Sequence, residues 1–156
     1  MAGSAHPRSR RPLRRHPGSA VNVFIDSNVL LYAMGQEPHK RARARTLLVA
    51  TPWISTQVLN ECSHVLRRKH GWSPTRVADE LERLLPLMRV ADLGLAETRE
   101  AWRLAAQLGY SHFDCLIMAA ALAVCCTRLY TEDMQHGQRI DRRLQLINPF
   151  LAEQVP

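Results

Sequence analysis

The segment SHFDCLIMAAALAVCC, Ser111 to Cys126, is the tightest constraint this chain places on its own fold. Past Phe113 it is apolar on every side of a helix, and Asp114 is its one acidic residue. A helix with no polar face must be enclosed by other elements. This one is too short to cross a bilayer, which takes about 20 apolar residues. It therefore predicts a helix at the centre of a globular core, opened by Ser111 as its cap.

Around that helix, short apolar runs alternate with amphipathic segments. Val21, Val23, Phe24 and Ile25 read as a buried parallel strand. A short helix from Val29 to Met34 follows, broken by Gly35 and Pro38. HKRARARTLLVA predicts a helix with a basic outer face of Lys40, Arg41, Arg43 and Arg45. WIST is a short strand whose Ser55 or Thr56 caps the helix QVLNECSHVLRRKH, which stops at Gly71. Ser73 caps PTRVADELERLLPLM, with Pro74 at the favoured first position. Arg89 to Ala91 is a further short strand, and LAETREAWRLAAQLG is an amphipathic helix ending at Gly109. RLYTED gives a strand ending in acids, and RLQLINPF a last one closed by Pro149. Strands separated by helices in this order predict an α/β fold with an open, mostly parallel sheet and helices on both faces.

Charge is unevenly placed. Of the net +7, the first twenty residues hold five arginines (Arg8, Arg10, Arg11, Arg14, Arg15) and no acid. This stretch has no apolar periodicity and is rich in Pro, Gly and Ser, so residues 1–20 are expected to be a disordered extension. No apolar core of a secretory signal follows it, and the expected location is the cytoplasm, away from any membrane. The four cysteines, Cys62, Cys115, Cys125 and Cys126, have no metal-finger spacing and are expected to be small buried hydrophobes.

In open parallel sheets, ligands bind beyond the carboxyl ends of the strands. Asp26 ends the first strand and Asp133 follows the strand at Leu129 and Tyr130, so both are expected on one rim. Asp114 lies in the first turn of the apolar helix, where the helix dipole favours an anion. Its alternative is a capping box with Ser111. Glu61 shares a helix face with Val58 and Val65, and a carboxylate on a mostly buried stripe needs a partner. Two carboxylates 4 to 5 Å apart repel by roughly 3 to 4 kcal/mol at an effective dielectric near 20, so four converging acids require a cation. An all-oxygen site without His or Cys selects a hard ion, Mg²⁺ or Mn²⁺.

VFIDSNVLLYAM, STQVLNE, SHFDCLIMAAAL and LYTEDMQHGQ, in this order and spacing, resemble the PIN-domain ribonucleases of the VapC-like type, toxins of type II toxin-antitoxin pairs. The resemblance covers residues 21–150, leaving 1–20 and a C-terminal tail over 151–156 outside it. It implies a three-layer α/β/α sandwich with a mostly parallel central sheet and Mg²⁺- or Mn²⁺-dependent hydrolysis of RNA. It further implies a homodimer and a cognate antitoxin that blocks the site. Asp26, Glu61, Asp114 and Asp133 match the catalytic acids, with Asp26, Asp114 and Asp133 as metal ligands and Glu61 ordering a water or completing the ligand shell. Ser27, Asn28 and Thr131 match polar positions that support the acids.

Two rival readings differ in what they require. An aspartate-based phosphatase also ends its first strand in Asp but needs an acid two residues later, where this chain has Asn28. A non-catalytic RNA-binding module of the same fold would tolerate the loss of any one acid. The basic runs at Lys40 to Arg45 and Arg67 to His70 are candidate phosphate contacts. His64, His112 and His136 are expected in helix or turn roles, and Trp53, Trp72 and Trp102 in packing.

Overall fold

The computed structural model describes residues 22–152. The extension expected over 1–20, with Val21 and residues 153–156 of the expected tail, lies outside them. The elements run β1 (Val23–Ile25), α1 (Ser27–Met34), α2 (Pro38–Leu48), β2 (Trp53–Ser55), α3 (Thr56–Arg68), α4 (Pro74–Leu84), a 3-10 turn (Leu85–Leu87), β3 (Arg89–Ala91), α5 (Leu95–Leu108), α6 (His112–Ala123), β4 (Arg128–Tyr130), β5 (Arg139–Ile140) and β6 (Leu144–Ile147).

The strands form a six-stranded sheet in the order β3-β2-β1-β4-β6-β5. All pairs are parallel except β5 with β6. Helices flank this sheet in a three-layer α/β/α sandwich, as expected from the alternation. Val23, Phe24 and Ile25 of β1 are all buried, which is why the central strand is a continuous apolar run rather than an alternating one. Every residue from Cys115 to Leu122 of α6 is buried as well. Fully enclosing side chains of this kind stabilises the fold by about 1.5–3 kcal/mol each for the larger ones.

Caps follow the sequence closely. Ser55, Ser73 and Ser111 each accept a backbone N–H of the first helical turn, and Gly109 ends α5 at φ 75°, in the left-handed region.

Several expectations need correction. Helix α1 begins at Ser27, not Val29, because Asp26 acts as its N-cap. Helix α4 ends at Leu84 rather than Met88. Leu85 keeps helical angles, φ −53° and ψ −40°, but Pro86 has no N–H to continue the ladder, and the chain passes into a 3-10 turn. Strand β4 stops at Tyr130, short of the acids, where the Asp133 N–H turns back onto Thr131 Oγ1 at 3.3 Å. The two-residue strand β5 carries too little pattern to be read and exists through its pairing with β6.

Cys125 is exposed, unlike Cys62, Cys115 and Cys126. It sits just past α6 at φ 58°, and the Cys126 N–H closes back on the Ala121 carbonyl at 2.9 Å, so the terminating turn directs it away from the core. Trp102 is exposed rather than packed.

Candidate active site

The rim of the sheet is built by the register of β1 and β4. Ile25 pairs with Tyr130, and the Asp26 N–H extends the ladder by donating to the Tyr130 carbonyl at 2.9 Å. The chain leaves β1 for β2 on one side and returns as β4 on the other. The order therefore reverses at β1, and a crevice opens at the carboxyl ends of these two strands.

Asp26 stands in that crevice at 2% exposure. Its Oδ1 accepts the Ser27 N–H at 2.6 Å and lies 3.2 Å from Ser27 Oγ. Its Oδ2 accepts the Thr131 hydroxyl at 2.7 Å. Burial pushes its pKa up to about 7, opposed by the bonds from Thr131 and the Ser27 backbone and reinforced by the charges of Glu61 and Asp114.

Ser27 links the first acid to the second, for its hydroxyl donates to Glu61 Oε2 at 2.7 Å. Glu61 Oε1 accepts from Gln57 Nε2, one turn earlier on α3, at 3.1 Å. The partner that a carboxylate on this stripe demanded is thus a hydroxyl and an amide, not a cation. Cys62 beside it is buried, and burial, then the charges of Asp26 and Glu61, hold its thiol far above the usual range. It is no thiolate nucleophile.

Asp114 takes half of a capping box. Its N–H donates to Ser111 Oγ at 3.2 Å, but no bond runs from the Ser111 N–H back to its carboxylate. Burial raises its pKa, offset by the Ser111 hydroxyl and reinforced by Asp133 and Glu61.

Asp133 Oδ2 accepts from Asn28 Nδ2 at 2.9 Å, and the Asn28 carbonyl oxygen accepts the Glu132 N–H at 3.4 Å. Asn28 therefore clamps the segment after β4 to the start of α1. The neighbouring Glu132 faces a different environment, because Lys40 and Tyr32 both donate to it, with the Lys40 ammonium 4.4 Å from the Tyr32 ring centre. Its charge is compensated. Among the described residues, no Lys or Arg forms an ion pair with Asp26, Glu61, Asp114 or Asp133.

Asp114 thus lies within electrostatic reach of each of the other three acids, and Asp26 of Glu61 as well, with Ser27, Asn28 and Thr131 bonded to Asp26, Glu61 and Asp133. The sequence reading overlooked Gln57, whose i, i+4 spacing to Glu61 was visible, and the Tyr32–Lys40–Glu132 group, whose partners come from separate elements. Among the described residues, no three His, Cys, Asp or Glu side chains cluster as a ready-made cage for one ion. The donor set still fits a hard divalent cation, since Mg²⁺ keeps several waters and takes one or two carboxylates together with substrate phosphates. Of the basic run on α2, Lys40 is committed to Glu132, Arg43 Nε donates to the Pro149 carbonyl and Arg45 Nε to that of Ala33. His136 has the turn role expected of it, its Nδ1 accepting the Asn148 N–H at 3.0 Å.

The PIN domain family model matches residues 23–141. No curated protein matches the sequence. Among solved structures, the chain is similar to Mycobacterium tuberculosis VapC20, a Sarcin-Ricin loop cleaving toxin, at 22% identity and a TM-score of 0.60, covering 72% of this chain and 90% of that one. It is similar to VapBC2 from Rickettsia felis bound to a promoter DNA fragment at 22% identity and 0.61, over 80% of this chain and 96% of the other. DNA-bound VapBC from Salmonella typhimurium follows at 18% identity and 0.62, over 81% and 97%. At these identities the likeness establishes the fold. Among the described residues, no helix is long and apolar enough to cross a membrane.

Proposed function

Because this chain belongs to the PIN domain family, we propose that it is an endoribonuclease that hydrolyses RNA phosphodiester bonds with Mg²⁺ or Mn²⁺ and acts in the cytoplasm as the toxin of a toxin-antitoxin pair. The observation that carries the reading is the group of four carboxylates that, among the described residues, has no cationic side chain to neutralise it. A site that keeps this repulsion in its own structure is suited to a cation that arrives from solution.

Asp26, Asp114 and Asp133 would hold the ion, one or two of them directly and the rest through its retained waters. When bound, it supplies Lewis-acid polarisation of the phosphate and neutralises charge developing on its oxygens. The chain's own residues supply position. Thr131 and Ser27 fix the Asp26 carboxylate through one bond to each oxygen, leaving each with further lone-pair capacity. Asn28 holds Asp133 by its Oδ2 alone. Glu61, held between Ser27 and Gln57, orders a water at the rim and accepts its proton. No Ser or Cys nucleophile takes part, and Asn28 occupies the position where an aspartate-based phosphatase needs an acid.

The likeness to VapBC structures supports a cognate antitoxin as partner, and the chain is proposed to act as a homodimer. An antitoxin arginine would suit the site, since a planar guanidinium satisfies two carboxylates at once. The test is cleavage of single-stranded RNA by the purified chain. Cleavage with Mg²⁺ or Mn²⁺ that stops in EDTA supports the proposal, and cleavage undiminished by chelator overturns its metal dependence.

A further inference from the structure

Beside the acids lies a cleft that shares Glu61 with them and whose remaining length the proposed chemistry leaves unused. It has a volume of about 450 Å³ and opens between α3 and the start of α6. Its α3 wall carries Gln57, Asn60, Glu61 and His64, spaced so that all four fall on one helical face. Opposite them stands Phe113. Glu61 belongs both to the cleft and to the acid group, so the two sites are continuous.

Phe113 is 56% exposed, a large ring left in water one residue before Asp114. The His112 ring meets it edge-on, with centroids 5.7 Å apart at 62°, which restrains its orientation. The facing wall is mixed, with Val65 adding to the apolar surface that Phe113 begins and the polar ends of α3 side chains set around it. Asn60 and His64 are exposed, and no other side chain of the described residues hydrogen-bonds them. The amide oxygen of Gln57 is likewise free, since its nitrogen is the atom that donates to Glu61. A largely apolar slot walled by an aromatic ring and Val65, with amides and an imidazole along one side, matches how single-stranded RNA bases are bound, their faces stacked on a ring and their edges hydrogen-bonded. A purely apolar partner would leave those amides unpaired on burial.

We propose that this cleft is a nucleobase subsite. Phe113 stacks on an unpaired base flanking the scissile phosphate, and Gln57, Asn60 and His64 read its edge. The inference rests on the ribonuclease reading for its choice of RNA, but its test does not depend on cleavage.

The experiment measures binding of a fluorescein-labelled single-stranded RNA decamer in EDTA by anisotropy, beside the same decamer with every base removed. Wild type should bind the base-bearing RNA about tenfold more tightly than the abasic one, as expected for one stacked base. Phe113→Ala should lose most of that preference while binding abasic RNA as wild type does, and Phe113→Trp should restore it. Being exposed, Phe113 can be truncated without opening the core. A wild type without preference for bases, or Phe113→Ala with the preference intact, overturns the inference. So does a Phe113→Ala chain that changes oligomeric state by gel filtration while keeping its base preference, because the cleft then belongs to a protein contact. If wild type cleaves no RNA with Mg²⁺ or Mn²⁺ yet shows the Phe113-dependent preference, the nuclease reading fails and the base subsite stands.

Discussion

Thr131 and Asp26, 105 positions apart in the chain, are joined by a hydrogen bond of 2.7 Å from Oγ1 to Oδ2, and both side chains are almost wholly withdrawn from solvent. The parallel register of β1 and β4 places them side by side just past the strand ends.

Thr131→Val keeps the shape of the side chain and deletes the donor, leaving a buried carboxylate oxygen short of a partner. It should destabilise the metal-free chain by about 1–3 kcal/mol, read as a lower urea midpoint at unchanged slope, while Thr131→Ser stays near wild type. A Val variant as stable as wild type would show that the bond contributes nothing.

Asp26→Asn tests whether the acids exist for a cation. Wild type should gain stability with Mg²⁺ or Mn²⁺, about 2.7 kcal/mol when the ion is at a hundred times its Kd, and this gain should vanish in the variant. The metal-free variant should be at least as stable as metal-free wild type, since one repelling charge is gone. Thermal unfolding with and without the ion measures both. If the variant is unfolded while wild type ignores the ion, Asp26 is a structural helix cap.

Glu132 and Asp133 are adjacent in sequence but bonded to different partners. Asp133→Asn should lower RNA cleavage by about a hundredfold or more, the scale of losing one charge-stabilising group. Glu132→Gln should leave cleavage near wild type, since its charge faces Lys40 and Tyr32. Rates on one RNA with saturating Mn²⁺ decide this, and the reverse pattern would move the site to Glu132.

Deleting residues 1–20 removes five of the positive charges and none of the acids. Cleavage at saturating RNA should be unchanged, while the slope of log affinity against log salt becomes shallower by at most about 3.5. A deleted chain that folds but no longer cleaves would place the extension in the site.

Much of the architecture was legible because it depends on local patterns. The apolar run of α6 from Cys115 onward, the Ser caps of α3, α4 and α6, and Gly109 at the end of α5 are each decided within a few residues. Strand β5 was not legible, for two residues carry no period. The end of β4 was also obscure, because the turn that stops it depends on Thr131 bonding the Asp133 N–H. The acids Asp26, Glu61 and Asp114 stood out through their apolar neighbours, whereas Asp133 next to Glu132 had nothing local to distinguish it.

The amino-acid sequence alone determined most of the strands and helices, that α6 must be enclosed, and that an acid ends the first strand, since periodicity and capping act over a few neighbouring residues. Tertiary structure decided which of two adjacent acids is neutralised, which hydroxyl bridges Asp26 and Glu61, and that Phe113 faces the amides of α3. Those pairings join elements tens of residues apart, and they follow from strand order and register, which no local run of residues encodes.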